Sequence, residues 1–241
     1  MIKLEHVVLP SPEQMEFVIE GMRNPMNSWD KSDSDIVDGS YDIYWNYYPK
    51  HFEVGDNDLS RMQKLSAAGT DHRKFMRMMP VMVRITAPLY WWKEFDTYKV
   101  GTVANSCSTM HKITEKEFTL EDFSCEKLFM DSKEVLEDVV ILMNKARAYY
   151  LEMERKLAED PLTNKEREEI IDGKKNYWWQ MIQLLPSSYN QTRNVMLNYE
   201  VLANIYPSRK GHKLDEWVEF CKWIETLPYS ELITGGSNEE K

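Results

Sequence analysis

The chain has 241 residues, 42% of them apolar and 12% aromatic, which is enough to bury the core of one globular domain. With 40 acidic against 30 basic side chains its formal net charge is -10, which repels nucleic acid at long range, although a local Lys and Arg cluster can still take a small phosphorylated ligand. Cys107, Cys125 and Cys221 lack C-x-x-C spacing and read as free thiols of a reducing compartment; no window approaches the roughly 20 apolar residues of a membrane span, so we expect a soluble, cytoplasmic protein without a membrane partner.

In chain order, Ile2, Leu4 and Val7-Val8 alternate as a short strand closed by Pro10 and Pro12. Pro12 to Met22 carries Met15, Phe17, Val18 and Met22 at helical spacing behind an N-cap at Ser11. Asn24 to Asp58 has weak periodicity, and its aromatic run YDIYWNYYPKHF reads as loop and edge packing. Leu59 to Ala68 predicts a short helix ended by Gly69, and Thr70 to Arg77 a polar turn holding His72. Val81, Val83 and Ile85 alternate with Met82, Arg84 and Thr86 in a strand that stops at Ala87-Pro88. Pro88 then opens a helix with Leu89, Trp92 and Phe95 at its spacing.

After Thr114, EKEFTLEDFSCEKLF predicts short helical turns. Asp131 with Glu134 reads as a capping box before a long helix whose stripe is Val135, Val139, Leu142, Met143, Ala146, Tyr149, Tyr150 and Met153. Thr163 and Glu166 repeat that pattern before a second helical region, broken near Asp172-Gly173 and stopped by Pro186. Ser187 or Ser188 predicts the cap of a third helix with Val195, Met196, Tyr199, Leu202 and Ile205, which Pro207 ends or kinks. Leu214 to Ile224 reads as a last amphipathic helix before a solvated tail, GGSNEEK. With no repeat and no linker, a single domain over 1–241 is the expectation.

Several chemistries find no support. There are nine glycines and neither G-x-G-x-x-G nor G-x-x-x-x-G-K-[ST]; His6, His51, His72, His111 and His212 are scattered without metal-ligand spacing. Cys107 reads as an inert small residue, and Glu94 and Asp96, two apart, diverge on a helix.

Two windows carry a sharper signal. The first, ITAPLYWWKEFDTYKVGTVANSCST, resembles the signature region of flavin-dependent thymidylate synthases, in which a strand ends in Ala-Pro, a helix follows, and an Arg-His-Arg triplet precedes an Asn-x-x-Ser. Ala87-Pro88 is in place, Thr97, Tyr98 and Lys99 stand for the triplet, and Asn105 to Ser108 match Asn-x-x-Ser with one residue inserted. Lys93-Glu94 stand where many members have Arg-Gln, and His72 where members carry a His opening a flavin-holding turn. The second window, MIQLLPSSYNQTRNVMLNYEVLANIYPSR, resembles the later family segment: counted without gaps from Leu185-Pro186, Asn198 and Asn204 fall on two ligand-binding Asn and Arg209 on the final Arg. Ile182 takes the place of a phosphate-binding Arg and Glu200 that of an Arg near the flavin, while His212 and Glu216 loosely echo the residues that follow.

The resemblance implies an α/β (α+β) fold, a central sheet flanked by long helices, assembled as a homotetramer. It implies FAD as cofactor and reductive methylation of dUMP to dTMP with methylenetetrahydrofolate and NADPH, without a protein nucleophile or metal. Carried over residue by residue, Arg209 is the catalytic candidate, a permanent cation for charge developing on the uracil. Lys93, Glu94, Ser108 and Arg209 fall on the substrate; His72, Thr97, Tyr98, Lys99, Asn198 and Asn204 fall on the cofactor. The two Asn are expected to offer donor and acceptor together; at Ile182 either another cation, such as Lys93, Arg193 or Lys210, replaces the missing one or the ligand is different. These replacements raise one alternative, a non-catalytic or repurposed nucleotide- or flavin-binding or protein-interaction member of the same fold.

Overall fold

The computed structural model describes residues 1–159 and 161–235. Its elements are β1 (Lys3–Val8), α1 (Pro12–Arg23), β2 (Asp35–Val37), β3 (Ser40–Tyr41), β4 (Tyr47–Tyr48), β5 (His51–Glu53), α2 (Asp56–Ala67), β6 (Pro80–Pro88), α3 (Leu89–Phe95), β7 (Val103–Ser106), α4 (Thr109–Lys112), α5 (Met130–Glu159), α6 (Asn164–Leu184), β8 (Asn190–Asn198), α7 (Tyr199–Arg209), α8 (Asp215–Glu225) and α9 (Glu231–Thr234). A four-stranded sheet has the order β1-β6-β8-β7, and β2-β5 and β3-β4 form two small antiparallel ladders. The fold class is therefore mixed α/β, a sheet with helices, as expected. Contacts group the chain into two compact units, residues 1, 86–94 and 106–193 in one, and 2–85, 95–105 and 194 onward in the other.

In the second unit the strand alternation of β6 is realised: Val81, Val83 and Ile85 are buried while Met82 and Arg84 are exposed. Ser11 caps α1 in a full capping box with Gln14; Met15, Val18, Ile19 and Met22 are buried, but Phe17 faces solvent. The helix expected at Leu59 starts three residues earlier at Asp56, and the turn after Gly69 becomes a 3-10 segment, Lys74–Met78. A buried carboxylate orders the segment that lacks periodicity. Asp58 accepts from Arg23 Nε at 2.6 Å, Ser32 Oγ at 2.7 Å, Ser34 Oγ at 2.8 Å and the Asp33 amide at 3.2 Å. The aromatic run is loop and short strand edges, as expected, with its rings packed on one another. Tyr41, Tyr44, Trp45, Tyr47 and Tyr48 stand exposed on the β3-β4 hairpin, with Tyr41 and Tyr47 5.1 Å apart between ring centroids.

In the first unit α5 packs along α6. The helix α5 starts at Met130, so Asp131 lies inside the first turn, where it complements the dipole instead of capping. Its buried face is Leu136, Val140, Met143 and Ala146, one step round from the expected stripe; Val135, Leu142 and Tyr149 are exposed. These side chains join Ile113, Phe118, Phe123 and Met181 in one apolar cluster. Thr163 and Glu166 form the predicted capping box, but α6 runs unbroken through Gly173. There a Cβ would lie 4.0 Å from Met153 Sδ: packing on α5 carries the helix across a residue whose propensity costs only about 1 kcal/mol.

The third predicted helix is instead a strand and a helix in direct succession. Along β8 Val195 and Leu197 are buried and Asn194 and Met196 exposed, a period of two; α7 begins only at Tyr199 and continues past Pro207 to Arg209. The last long helix, α8, matches the expectation within one residue. Most of the tail lies outside the described residues, from position 236 on. No helix among the described residues is long and apolar enough to cross a membrane.

Candidate functional site

The second unit brings the two sequence windows together. Arg209, in the last turn of α7, donates from Nε to the Tyr98 hydroxyl at 2.9 Å and places Nη1 3.0 Å from His212 Nε2. Its guanidinium lies over the Trp217 ring at 4.5 Å and the Tyr98 ring at 5.6 Å. Trp217 is fully buried, stacks on Phe95 and meets Phe220 edge-on. The arginine is thus held flat by aromatic rings and aimed by hydrogen bonds, which lowers the entropy lost when it engages a ligand. Its field reaches Cys221 on α8: burial pushes that thiol up to about 11, Glu225 adds to the rise and Arg209 opposes it. Tyr206, one turn before Arg209, donates to Glu225 at 2.6 Å and is pushed up to about 12 by that bond.

The segment that stands for the triplet turns back on the start of α7. The Thr102 amide donates to the Lys99 carbonyl at 3.3 Å, and Gly101 sits at φ +78 between them. A Cβ on Gly101 would come within 3.1 Å of Val201 Cγ2 and 3.2 Å of Asn198 Nδ2, so both the close approach and the backbone require glycine. Asn198 is the N-cap of α7, its Oδ1 accepting from the Val201 amide at 3.0 Å. Thr97 and Lys99 are exposed, and Thr102 Oγ1 is buried without a hydrogen-bond partner among the described residues.

One turn further, Asn204 Oδ1 accepts from Arg73 Nη2 at 2.6 Å. Each of the two Asn oxygens accepts one hydrogen bond inside the protein, and the Asn198 amine lies against Gly101. Glu200, buried in the first turn of α7, takes Arg77 in a two-point ion pair, with Arg77 Nη2 at 3.1 Å, and has Arg73 Nε 3.6 Å away. Sequence reasoning read Glu200 as a lost cation and missed both arginines. Nothing local could have flagged them, because Arg77 and Glu200 are 123 positions apart. His72 is exposed beside Arg73 in the turn whose amides donate to the Gly69 carbonyl.

In the first unit Ser108 caps the short α4, accepting from the His111 amide at 3.2 Å, and Lys93 and Glu94 close α3. Gln191 Nε2 bonds the Cys107 carbonyl and Thr109 Oγ1, both at 3.1 Å, and its Oε1 takes Arg193 Nε at 3.0 Å. Arg193 lies 4.1 Å over the Trp92 ring. Ile182 packs against the apolar cluster of α5 and α6. In the second unit Lys210 lies over Tyr206. Among the described residues no group of three His, Cys, Asp or Glu could hold a metal ion.

No protein-family model matches the chain, and no curated protein matches it by sequence. Solved structures do match. It is similar to the flavin dependent thymidylate synthase ThyX from Helicobacter pylori complexed with FAD and dUMP, with a TM-score of 0.60 at 14% identity over 97% of this chain and 96% of that one. A second structure of that synthase with FAD and dUMP gives 0.58 at 14% identity over 97% and 95%. The UMP/dUMP methylase PolB from Streptomyces cacaoi, bound with 5-Br dUMP, gives 0.54 at 11% identity over 98% and 94%. At these identities what is shared is the fold: over nearly its whole length this chain is built like the flavin-dependent thymidylate synthases.

Proposed function

We propose that the protein is a flavin-dependent enzyme acting on the uracil ring of a pyrimidine nucleotide, converting dUMP to dTMP with methylenetetrahydrofolate and NADPH, and that it works as a homotetramer. The observation that carries this reading is the Arg209–Tyr98 hydrogen bond, which joins the two windows of the sequence resemblance within one unit. The fold shared with proteins solved with FAD and dUMP supports it. The exposed Asn204, whose oxygen is held by Arg73, keeps its amine for an acceptor on the cofactor. His72, Thr97, Tyr98, Lys99, Asn198 and Asn204, all in the second unit, would hold FAD. When bound, FAD supplies the redox chemistry.

The chain's own contribution is electrostatic. Arg209, held by Tyr98 and Trp217, stabilises negative charge that develops on the pyrimidine without itself giving up a proton. The aromatic wall of Phe95 and Trp217 keeps water from its inner face and strengthens that interaction.

A second reading, a member that keeps the fold and binds ligand without turnover, rests on Ile182, whose place in an apolar cluster leaves no phosphate cation there. Release of tritium from [5-3H]dUMP with FAD, NADPH and methylenetetrahydrofolate separates the two. Sustained release with dTMP formation is expected; flavin binding with no release assigns the protein to the second reading.

A further inference from the structure

We infer that Arg73, Arg77 and Asn204 form a subsite for the oxygens of a phosphate ester, with Glu200 as its brace. The inference deepens the proposed function, because it takes the ligand to be a nucleotide or dinucleotide.

The geometry begins with a choice of orientation. An Asn carboxamide can be turned either way, but a guanidinium has donors only, so Arg73 accepts no orientation of Asn204 except oxygen inward. Asn204 is exposed, and its amine is therefore turned toward solvent. Arg73 is itself aimed: its side chain is 16% exposed, with Nη2 on Asn204 and Nε 3.6 Å from Glu200, and that Nε has no hydrogen-bond partner among the described residues. Glu200, 8% exposed, fixes Arg77 at two points, yet the Arg77 side chain is 52% exposed. What solvent meets is a guanidinium edge and an amide amine, all donors.

The local charge is far less negative than the chain as a whole. Arg73 and Arg77 stand against Glu200, and Asp71 also acts on Arg77, so the cluster is near neutral on a chain of -10. The cation that the sequence resemblance misses at position 200 is thus supplied from the turn at 73–77, with Glu200 orienting it. A ligand that suits donors without acceptors presents anionic oxygens; a nucleobase edge with mixed donors and acceptors suits it less well. The phosphate can belong to the diphosphate of a dinucleotide or to a nucleoside monophosphate.

The decisive substitution is Asn204→Asp, which keeps an oxygen on Arg73 and replaces the outward amine by an oxygen of nearly equal size. Arg77→Gln is the second variant. Calorimetric titration of the full chain with inorganic pyrophosphate should show binding to wild type that weakens at least about tenfold in each variant, at unchanged near-UV circular dichroism. Titrations with FAD against riboflavin, and with dUMP against deoxyuridine, identify the source: the phosphorylated member of one pair should lose affinity in parallel while its unphosphorylated partner does not. Wild type that does not bind pyrophosphate, or Asn204→Asp that binds it like wild type, overturns the subsite; if Asn204→Asp fails to fold, Arg77→Gln decides alone. Pyrophosphate binding that both variants weaken, in a protein that takes neither FAD nor dUMP, keeps the subsite and removes the proposed function.

Discussion

Two ionic clusters in the same unit, Arg23–Asp58 and Arg73/Arg77–Glu200, use the same chemical groups to opposite ends. Arg23 and Asp58 are 1% and 0% exposed, and Asp58 is saturated by a guanidinium, two hydroxyls and an amide. Among the described residues Arg23 Nη2 and Ser28 Oγ are buried without partners, a cost accepted in a structural anchor that ties α1 to α2 and to the loop between them. Around Glu200, by contrast, the carboxylate is buried but its cation opens to solvent. The difference teaches that a buried charge marks a site only when its partner still faces outward; when both are sealed, it marks an anchor.

The comparison breaks most visibly at Asp58. Asp58→Ala leaves Arg23 buried and uncompensated and should cost about 3–5 kcal/mol by urea unfolding, with no change in ligand affinity of the folded protein. A loss below about 1 kcal/mol would remove the anchor role. Acid should act on the same cluster. Burial opposes ionisation of Asp58, but hydrogen bonds from Ser32, Ser34 and Arg23 outweigh it and hold the carboxyl below its ordinary 3.8. Its stabilisation is therefore complete above that value and is lost as pH falls through the lower folded-state value; Asp58→Ala should lack this part of the acid slope.

Next in size is Arg209→Ala, where turnover should fall by about 10²- to 10³-fold while FAD affinity stays within a factor of about two, because under the proposed function the cation serves charge that develops only during reaction. Retained turnover contradicts its assigned role. Gly101→Ala should cost about 1–2 kcal/mol, from the left-handed backbone and the contacts at 3.1 and 3.2 Å with Val201 and Asn198. The smallest stability effect belongs to Glu200→Gln, about 1 kcal/mol or less and shrinking in salt, because half of the Arg77 side chain is already hydrated. A Glu200 loss as large as that at Asp58 would erase the distinction between anchor and site.

Much of this was legible in the residues. Alternation gave β6, and capping signals gave α1 and α6, since these depend on neighbours two to four positions apart. The junction of β8 and α7 was not legible. Asn198 ends the strand and caps the helix in one step, with no turn residue between, so a helical window laid across both absorbed the strand. Of the candidate site, Arg209 and Tyr98 were named by resemblance, and the structure places them in hydrogen-bond contact. Arg73, Arg77 and Trp217 were not named, because their roles come from partners far along the chain or, for Trp217, from a ring that reads locally as core.

The central claim, a flavin chemistry built around Arg209, is tested most directly by the visible absorption spectrum of the purified protein. We expect flavin bands as isolated or after addition of FAD, near one flavin per chain after gel filtration, with a shift of those bands when dUMP is added. A protein that keeps no flavin absorbance after incubation with FAD contradicts the account.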